Sequence, residues 1–215
     1  MSLSKTCRAF IIAVSGTFCG LPALPVHAAS PRIEPIALAR RLPLGSQVSV
    51  VGSVTVPSGA FDAGFAIRGL VDGIYVLDAA GAARNVGDVV RVTGTLVDNF
   101  GLLSSEPAAV EFLFHAPPLP GLRARTGAVG EATEGRLLHL RGTQVGPLVD
   151  DSPYGFEIEI DDGSGPIQIF LYPGTGISTA GLVPGAKIDT SCFSSQFDTS
   201  YECDPPSAAA FHVQP

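Results

Sequence analysis

The chain has no tryptophan and one methionine, and it is short of positive charge. Thirteen Lys and Arg stand against 20 Asp and Glu in 215 residues, a net charge of −7. That balance excludes a basic footprint spread over the whole chain, the electrostatic signature of most phosphate-backbone binders. Beyond residue 28 no run is long and apolar enough to cross a bilayer as a helix. Helical stripes are also scarce, and only "EPIALARRL" (34–42) predicts a short helix.

Catalytic signatures are missing as well. H-E-x-x-H, a nucleophile elbow, a phosphate loop and a dinucleotide fingerprint are all absent. His115, His139 and His212 are isolated, and His139 alternates with Leu138 and Leu140 as a structural strand histidine does. The stretch "DDSPYGFEIEIDDGSG" is rich in oxygen ligands but does not fit the EF-hand spacing. Asp150 and Asp151, like Asp161 and Asp162, are neighbours whose side chains diverge on a strand, so paired acid–base work is not indicated. The residues therefore point to a non-enzymatic protein with no metal site and no cofactor.

At the start, Lys5 and Arg8 precede the apolar "AFIIAVSGTFCGL", and Val26 and Ala28 stand at the small-residue positions of a cleavage site. Residues 1–28 are read as a signal peptide, interrupted by Gly16, Gly20, Pro22 and Pro25 well short of a membrane span. The expected location is periplasmic or secreted. Loss of Lys5 and Arg8 takes the net charge from −7 to −9. Two cysteines, Cys7 and Cys19, leave with that segment. Cys192 and Cys203 remain, and an even pair in an exported chain predicts a disulfide.

Glycine and proline are abundant, 25 and 18 residues, and β-branched runs between them predict short strands and many turns. The chain also repeats itself. "VSVVGSVTV" (48–56) matches "LHLRGTQVG" (138–146) with Gly52 on Gly142. "GFAIRG" matches "GFEIEI" with Gly64 on Gly155, and "GIYVLD" matches "PIQIFL" with Ile74 on Ile167. Further on, Gly87 falls on Gly185 and Phe112 on Phe211. Offsets of 90, 91, 93, 98 and 99 grow along the chain, as small loop insertions in a duplicated module would make them. Two copies are too few for a solenoid. The predicted organisation is a domain over 29–115, a proline-bearing linker over 116–132 and a second domain over 133–215.

Copy one predicts strands near 47–56, 64–69, 73–78, 88–98 and 102–114. A glycine inside the first strand of each copy suits the coiling of a small closed barrel. The fold class is all-β: two tandem small five-stranded barrels of OB type. Here "LPLGSQVSVVGSVTV", "GIYVLDAAG" and "VGDVVRVTGTLVDNFGL" resemble the OB-fold module that precedes the catalytic domain in large secreted bacterial nucleases. The resemblance is strongest over 43–104 and implies nucleic-acid binding. It brings no catalysis, because the nuclease domain has no counterpart here.

OB barrels bind on the face of strands two and three, flanked by the loops after strands one and four. With Phe65 and Ile67 inward in copy one, Ala66, Arg68, Tyr75 and Leu77 point outward. Phe61 and Phe100 lie in the flanking loops, with Arg84 and Arg91 near. Arg68, Tyr75, Arg84, Arg91, Phe100 and Phe61 are thus the candidate contacts to single-stranded nucleic acid. Two alternatives stay open: Phe61 and Phe100 as plugs of the barrel ends, and no nucleic-acid site at all. In copy two, Glu157, Glu159 and Asp161 point outward beside Gln168, Phe170 and Tyr172. Carboxylates at that density repel phosphates. Rings beside carboxylates suit a sugar, a cationic peptide or a protein partner, so Phe170, Tyr172, Glu157 and Glu159 are candidates for contact with an envelope protein or a glycan.

Overall fold

A computed structural model describes residues 31–61, 64–79 and 81–214. The signal peptide read from residues 1–28 lies outside the described residues, so nothing below bears on it. A short parallel strand, β1 (Ile33–Glu34), and one turn of helix, α1 (Ile36–Ala39), open the described chain. The first barrel follows: β2 (Gln47–Val56), β3 (Phe65–Arg68), β4 (Gly73–Val76), β5 (Asp88–Asn99) and β6 (Leu102–His115). β2 pairs β3, β3 pairs β4, β4 runs parallel to β6, β6 pairs β5, and β5 returns to β2, which closes the sheet.

The connecting stretch adds β7 (Leu122–Arg123), which runs parallel to β8 (Leu137–Gln144). The second barrel uses β8, β10 (Gly155–Asp161), β11 (Ile167–Leu171), β12 (Lys187–Phe197) and β13 (Ser200–Asp204) in the same cyclic order. A short β9 (Val149–Asp151) pairs β10, and β14 (Phe211–Gln214) pairs β12. Both units are closed five-stranded barrels of OB connectivity.

Each barrel closes over its own apolar core. Val50, Phe65, Ile67, Ile74, Val92 and Leu96 fill the first; Leu140, Ile158, Ile160, Ile169 and Ile188 fill the second. These are the alternate positions of their strands, as a half-exposed barrel wall requires. Cys192 and Cys203 are bonded across β12 and β13 with Cα atoms 5.3 Å apart, inside the second core. Gly52 and Gly142 sit where the first strand passes closest to the second. A Cβ on Gly52 would meet Arg68 O at 3.0 Å, and one on Gly142 would meet Asp161 N at 3.2 Å.

The pairing corrects the register of the repeat. Ser53 pairs Arg68 and Thr143 pairs Asp161, so Arg68 corresponds to Asp161 and not to Glu159. In the same way Val90 faces Phe112 while Ile188 faces Val213, which puts Phe112 on Val213 rather than Phe211. For Arg68 the physical reason is length: copy two has two more residues than copy one between its opening glycine (Gly64 or Gly155) and the residue facing Ser53 or Thr143. The Phe112 match shifts later, where β6 carries a bulge opposite Val89 and Val90.

A third apolar cluster joins the barrels: Val56, Phe61, Ala66, Tyr75, Leu102 and Phe193, with Leu77 and Tyr172 against it. Phe193 faces away from its own core, and its ring lies 5.9 Å from Tyr75 and 6.2 Å from Phe61. Around this cluster Arg40 pairs with Glu134 at 2.7 Å and Arg136 with Asp72 at 2.6 Å. Gly135 and Gly73 touch backbone to backbone; a Cβ on Gly135 would stand 2.5 Å from Gly73 O. Glu134 is nearly enclosed and also takes the Leu103 N–H at 3.3 Å, so its charge is doubly matched. The two barrels bury one another.

Candidate ligand groove

The face expected to be open on the first barrel is covered. Tyr75 is 4 % exposed and Ala66 fully buried, both under Phe193 and the other rings of the joining cluster. Phe61 is buried too, its ring 4.9 Å from Tyr172. Arg68 is likewise 4 % exposed and donates to the Pro120 carbonyl at 2.7 Å, so the connecting chain lies over it. That enclosure lowers the guanidinium pKa by desolvation. Ala66, Arg68 and Tyr75 point away from their own barrel, as the alternation predicts, yet with Phe61 from the loop they meet protein and not solvent.

The other two arginines do not join them. Arg84 donates to the Val110 carbonyl at 3.3 Å, and Arg91 pairs with Glu111 at 2.8 Å on the outer wall of β5. Neither shares a cavity with Phe100 or Tyr75. Of the six candidate nucleic-acid contacts, Phe100 alone is well exposed, at 71 %.

Phe100 leads to the open part of the molecule. It occupies the turn between β5 and β6 with φ of 53°, followed by Gly101 at φ 94°. Two consecutive left-handed residues make the tight hairpin turn that matches strand twist. The corresponding turn between β12 and β13 places Asp198 at φ 55°. The two tips meet: Gly101 bridges Phe197, and the Asp198 N–H donates to Phe100 O at 2.6 Å. Their rings, Phe100 and Phe197, pack 5.7 Å apart and stay open to solvent, Phe197 at 60 %.

Behind this ring pair lie two adjoining hollows. One, about 260 Å³, is floored by Phe61, Tyr75, Tyr172 and Phe193 and rimmed by the two tips. The other, about 580 Å³, runs over the β10–β11 face between Tyr154 and Phe197, across Phe170 and Tyr172. They share Tyr172, Phe197 and Glu202 and form one groove. Phe170 and Tyr172 meet edge to face at 4.6 Å, so the wall is a continuous aromatic surface.

The groove is acidic. Asp151, Glu157, Glu202 and Asp204 line it, with Gln168, and among the described residues no Lys or Arg does. Glu157 pairs across the strands with Phe170, and Glu202 runs beside Gln168. Glu202 is 6 % exposed. Among the described residues it makes no ion pair, and its carboxylate takes one long hydrogen bond, from Gln168 Nε2 at 3.5 Å. Burial first, and the Glu157 charge second, push its carboxyl up to about 7. Glu157 is raised too, by desolvation and then by Asp151. Glu159, one of the candidates, is exposed but lies outside the groove lining.

Sequence reasoning thus reached Phe170, Tyr172 and Glu157 but missed Tyr154 and Phe197 as walls. The signal for Phe197 was present: "SSQFDTS" sets an aromatic residue before a hairpin turn, in the place where copy one has "VDNFG".

No protein-family model matches the chain, and no curated protein matches it. Among solved structures it is similar to a murine DNA binding protein bound with double-stranded DNA. Identity is 11 %, coverage 78 % of this chain and 97 % of that one, and the TM-score 0.39. The p204 HINb domain shows 14 % identity over 79 % of this chain and 95 % of that one, with a TM-score of 0.34. A replication protein A heterotrimer bound to single-stranded DNA shows 13 % over 82 % and 51 %, again at 0.34. The barrel assignment itself rests on the strand pairing.

Proposed function

We propose that this chain is an exported, non-catalytic binding protein that takes its ligand in the groove over β10, β11 and β13, and that the ligand is a partner protein or glycan rather than a polyanion. One observation carries the reading: the binding face of barrel one is closed by barrel two, while the same face of barrel two stays open, walled by rings and rimmed by carboxylates. Aromatic walls supply apolar contact at low entropy cost, and the carboxylates and Gln168 supply hydrogen-bond acceptors and one amide donor. Four carboxylates without a cation among the lining residues oppose a phosphate chain. Export to the periplasm or beyond the cell is supported by the leader-like residues 1–28 and by the Cys192–Cys203 bond.

A single-stranded nucleic acid is the second reading, favoured by the solvent-facing Phe100–Phe197 ring pair, on which bases can stack. Fluorescence anisotropy of labelled single-stranded DNA at about 50 and 200 mM salt separates the two. The proposal expects no saturable binding at either salt. Saturable binding that weakens with salt and is lost in Phe100→Ala overturns it in favour of the second reading.

A further inference from the structure

The groove holds a charge problem that its own chain leaves unsolved. Glu202 is more than nine-tenths buried, faces the like charge of Glu157, and has one marginal hydrogen bond and no cation among the described residues. Elsewhere the fold sets cations against enclosed carboxylates: buried Glu134 has Arg40, and half-buried Asp72 has Arg136. Here the same service is missing in a cavity of about 580 Å³ that opens to solvent between Tyr154 and Phe197. The rings around it present π-faces and edges to whatever enters, and a π-face attracts a cation within about 6 Å of its centroid.

We propose that this groove receives the cationic side chains of a basic partner segment, a lysine ammonium or an arginine guanidinium seated between Glu157 and Glu202 and walled by Phe170, Tyr172 and Phe197. The inference rests on the reading of the groove as the ligand site and adds the chemical class of the ligand. Charge complementarity singles out this occupant: an incoming cation relieves the Glu157–Glu202 repulsion and supplies the partner that the buried carboxylate lacks. A neutral sugar would leave both acids as they are. Asp151 on β9, Asp204 on β13, and Tyr75, Tyr154 and Tyr172 are the other titratable groups facing the groove. None of these is cationic, so no positive charge among the described residues meets the groove and the partner supplies it.

The test uses the mature protein and a fluorescein-labelled tetra-lysine peptide, read by anisotropy at pH 8, above the range in which Glu202 holds a proton, and at about 50 mM salt, where surface pairing is not fully screened. Four variants are compared. Glu157→Gln and Glu202→Gln remove one groove charge each while keeping shape. Phe197→Ala removes a wall without changing charge, and Glu106→Gln removes a charge from exposed β6, outside the groove. The expected result is about a tenfold loss of affinity for each groove glutamate, a several-fold loss for Phe197→Ala, and less than about a twofold change for Glu106→Gln. Equal losses for Glu106→Gln and Glu202→Gln would mean bulk attraction and overturn the proposal. A labelled oligo-dT strand is run beside the peptide. If the strand binds and Phe197→Ala abolishes it while the peptide does not bind, the groove stands as the site and the cationic class falls. If neither Phe197→Ala nor the glutamate variants affect any probe that binds, the groove reading falls with it. Thermal melts of each variant confirm that a loss of affinity is not a loss of fold.

Discussion

At the scale of single residues, Glu202 couples the groove to the stability of the whole chain. Folded, its carboxyl is held up to about 7, against 4.5 for an ordinary glutamate. Between those values the folded state keeps a proton that the unfolded state has released. The stability tied to that proton is complete below about pH 4.5 and is lost as pH rises through about 7. The loss is on the order of 3 kcal/mol, taking about 1.4 kcal/mol for each pH unit of difference. Glu157, raised in the same direction, adds to the trend. Glutamine at 202 keeps the shape of the protonated acid at every pH. Glu202→Gln is therefore expected to raise the Tm at pH 8 by roughly 5–10 °C and to change it little at pH 4.5. Scanning calorimetry at the two pH values reads this directly. An equal Tm difference at both would contradict it. The identity of Glu202 as an acid was plain in the sequence, but its enclosure was not. Burial at that position is set by the way β13 lies beside β11, whose Gln168 and the following Tyr172 come thirty residues or more earlier in the chain.

At the scale of elements, the strands were the most legible part. Predicted spans of 47–56, 88–98 and 102–114 meet observed strands at Gln47–Val56, Asp88–Asn99 and Leu102–His115. Alternating valines and flanking turn residues determine those spans locally, which is why they can be read without a fold. The repeat was legible in kind and in most of its register: Ile74 on Ile167 and Gly87 on Gly185 hold. The two-residue difference in β10 moves the match of Arg68, and a slip of that kind is invisible until a partner strand is known. The hairpin of β12 and β13 is held by Cys192–Cys203, whose two residues are fully buried. Replacing both with Ala is expected to lower unfolding stability by roughly 2–3 kcal/mol through freer chain ends in the unfolded state, with further loss from the emptied core volume. Urea unfolding of the oxidised protein against the double variant measures it. A midpoint unchanged within error would show that the bond contributes nothing. Because this hairpin carries Phe197 and Asp198, the variant is also expected to loosen the contact with the Phe100 tip.

At the scale of the molecule, the two barrels act as one body in which each decides what the other can show to solvent. Alternation along β3 and β4 shows which residues leave the barrel wall, but not what waits outside it. Arg68 and Tyr75 point outward as read, and there they meet Pro120 and Phe193. No local pattern announces such a cover, since it is made by the connecting chain 52 residues past Arg68 and by a strand more than a hundred residues past Tyr75. The groove exists for the same reason: only when β12 is laid against barrel one do the Phe100 and Phe197 tips come together over the floor of Phe61 and Tyr172. The central claim is that barrel one is closed and the groove on barrel two is open. Hydroxyl-radical footprinting of the mature protein, read by mass spectrometry at individual rings, tests it without any ligand. Fast oxidation of Phe100, Phe197 and Tyr154 and protection of Phe61, Tyr75 and Phe193 are expected. Oxidation of Tyr75 and Phe61 at the rate of Tyr154 would mean that the first barrel's face is free, and would contradict the account.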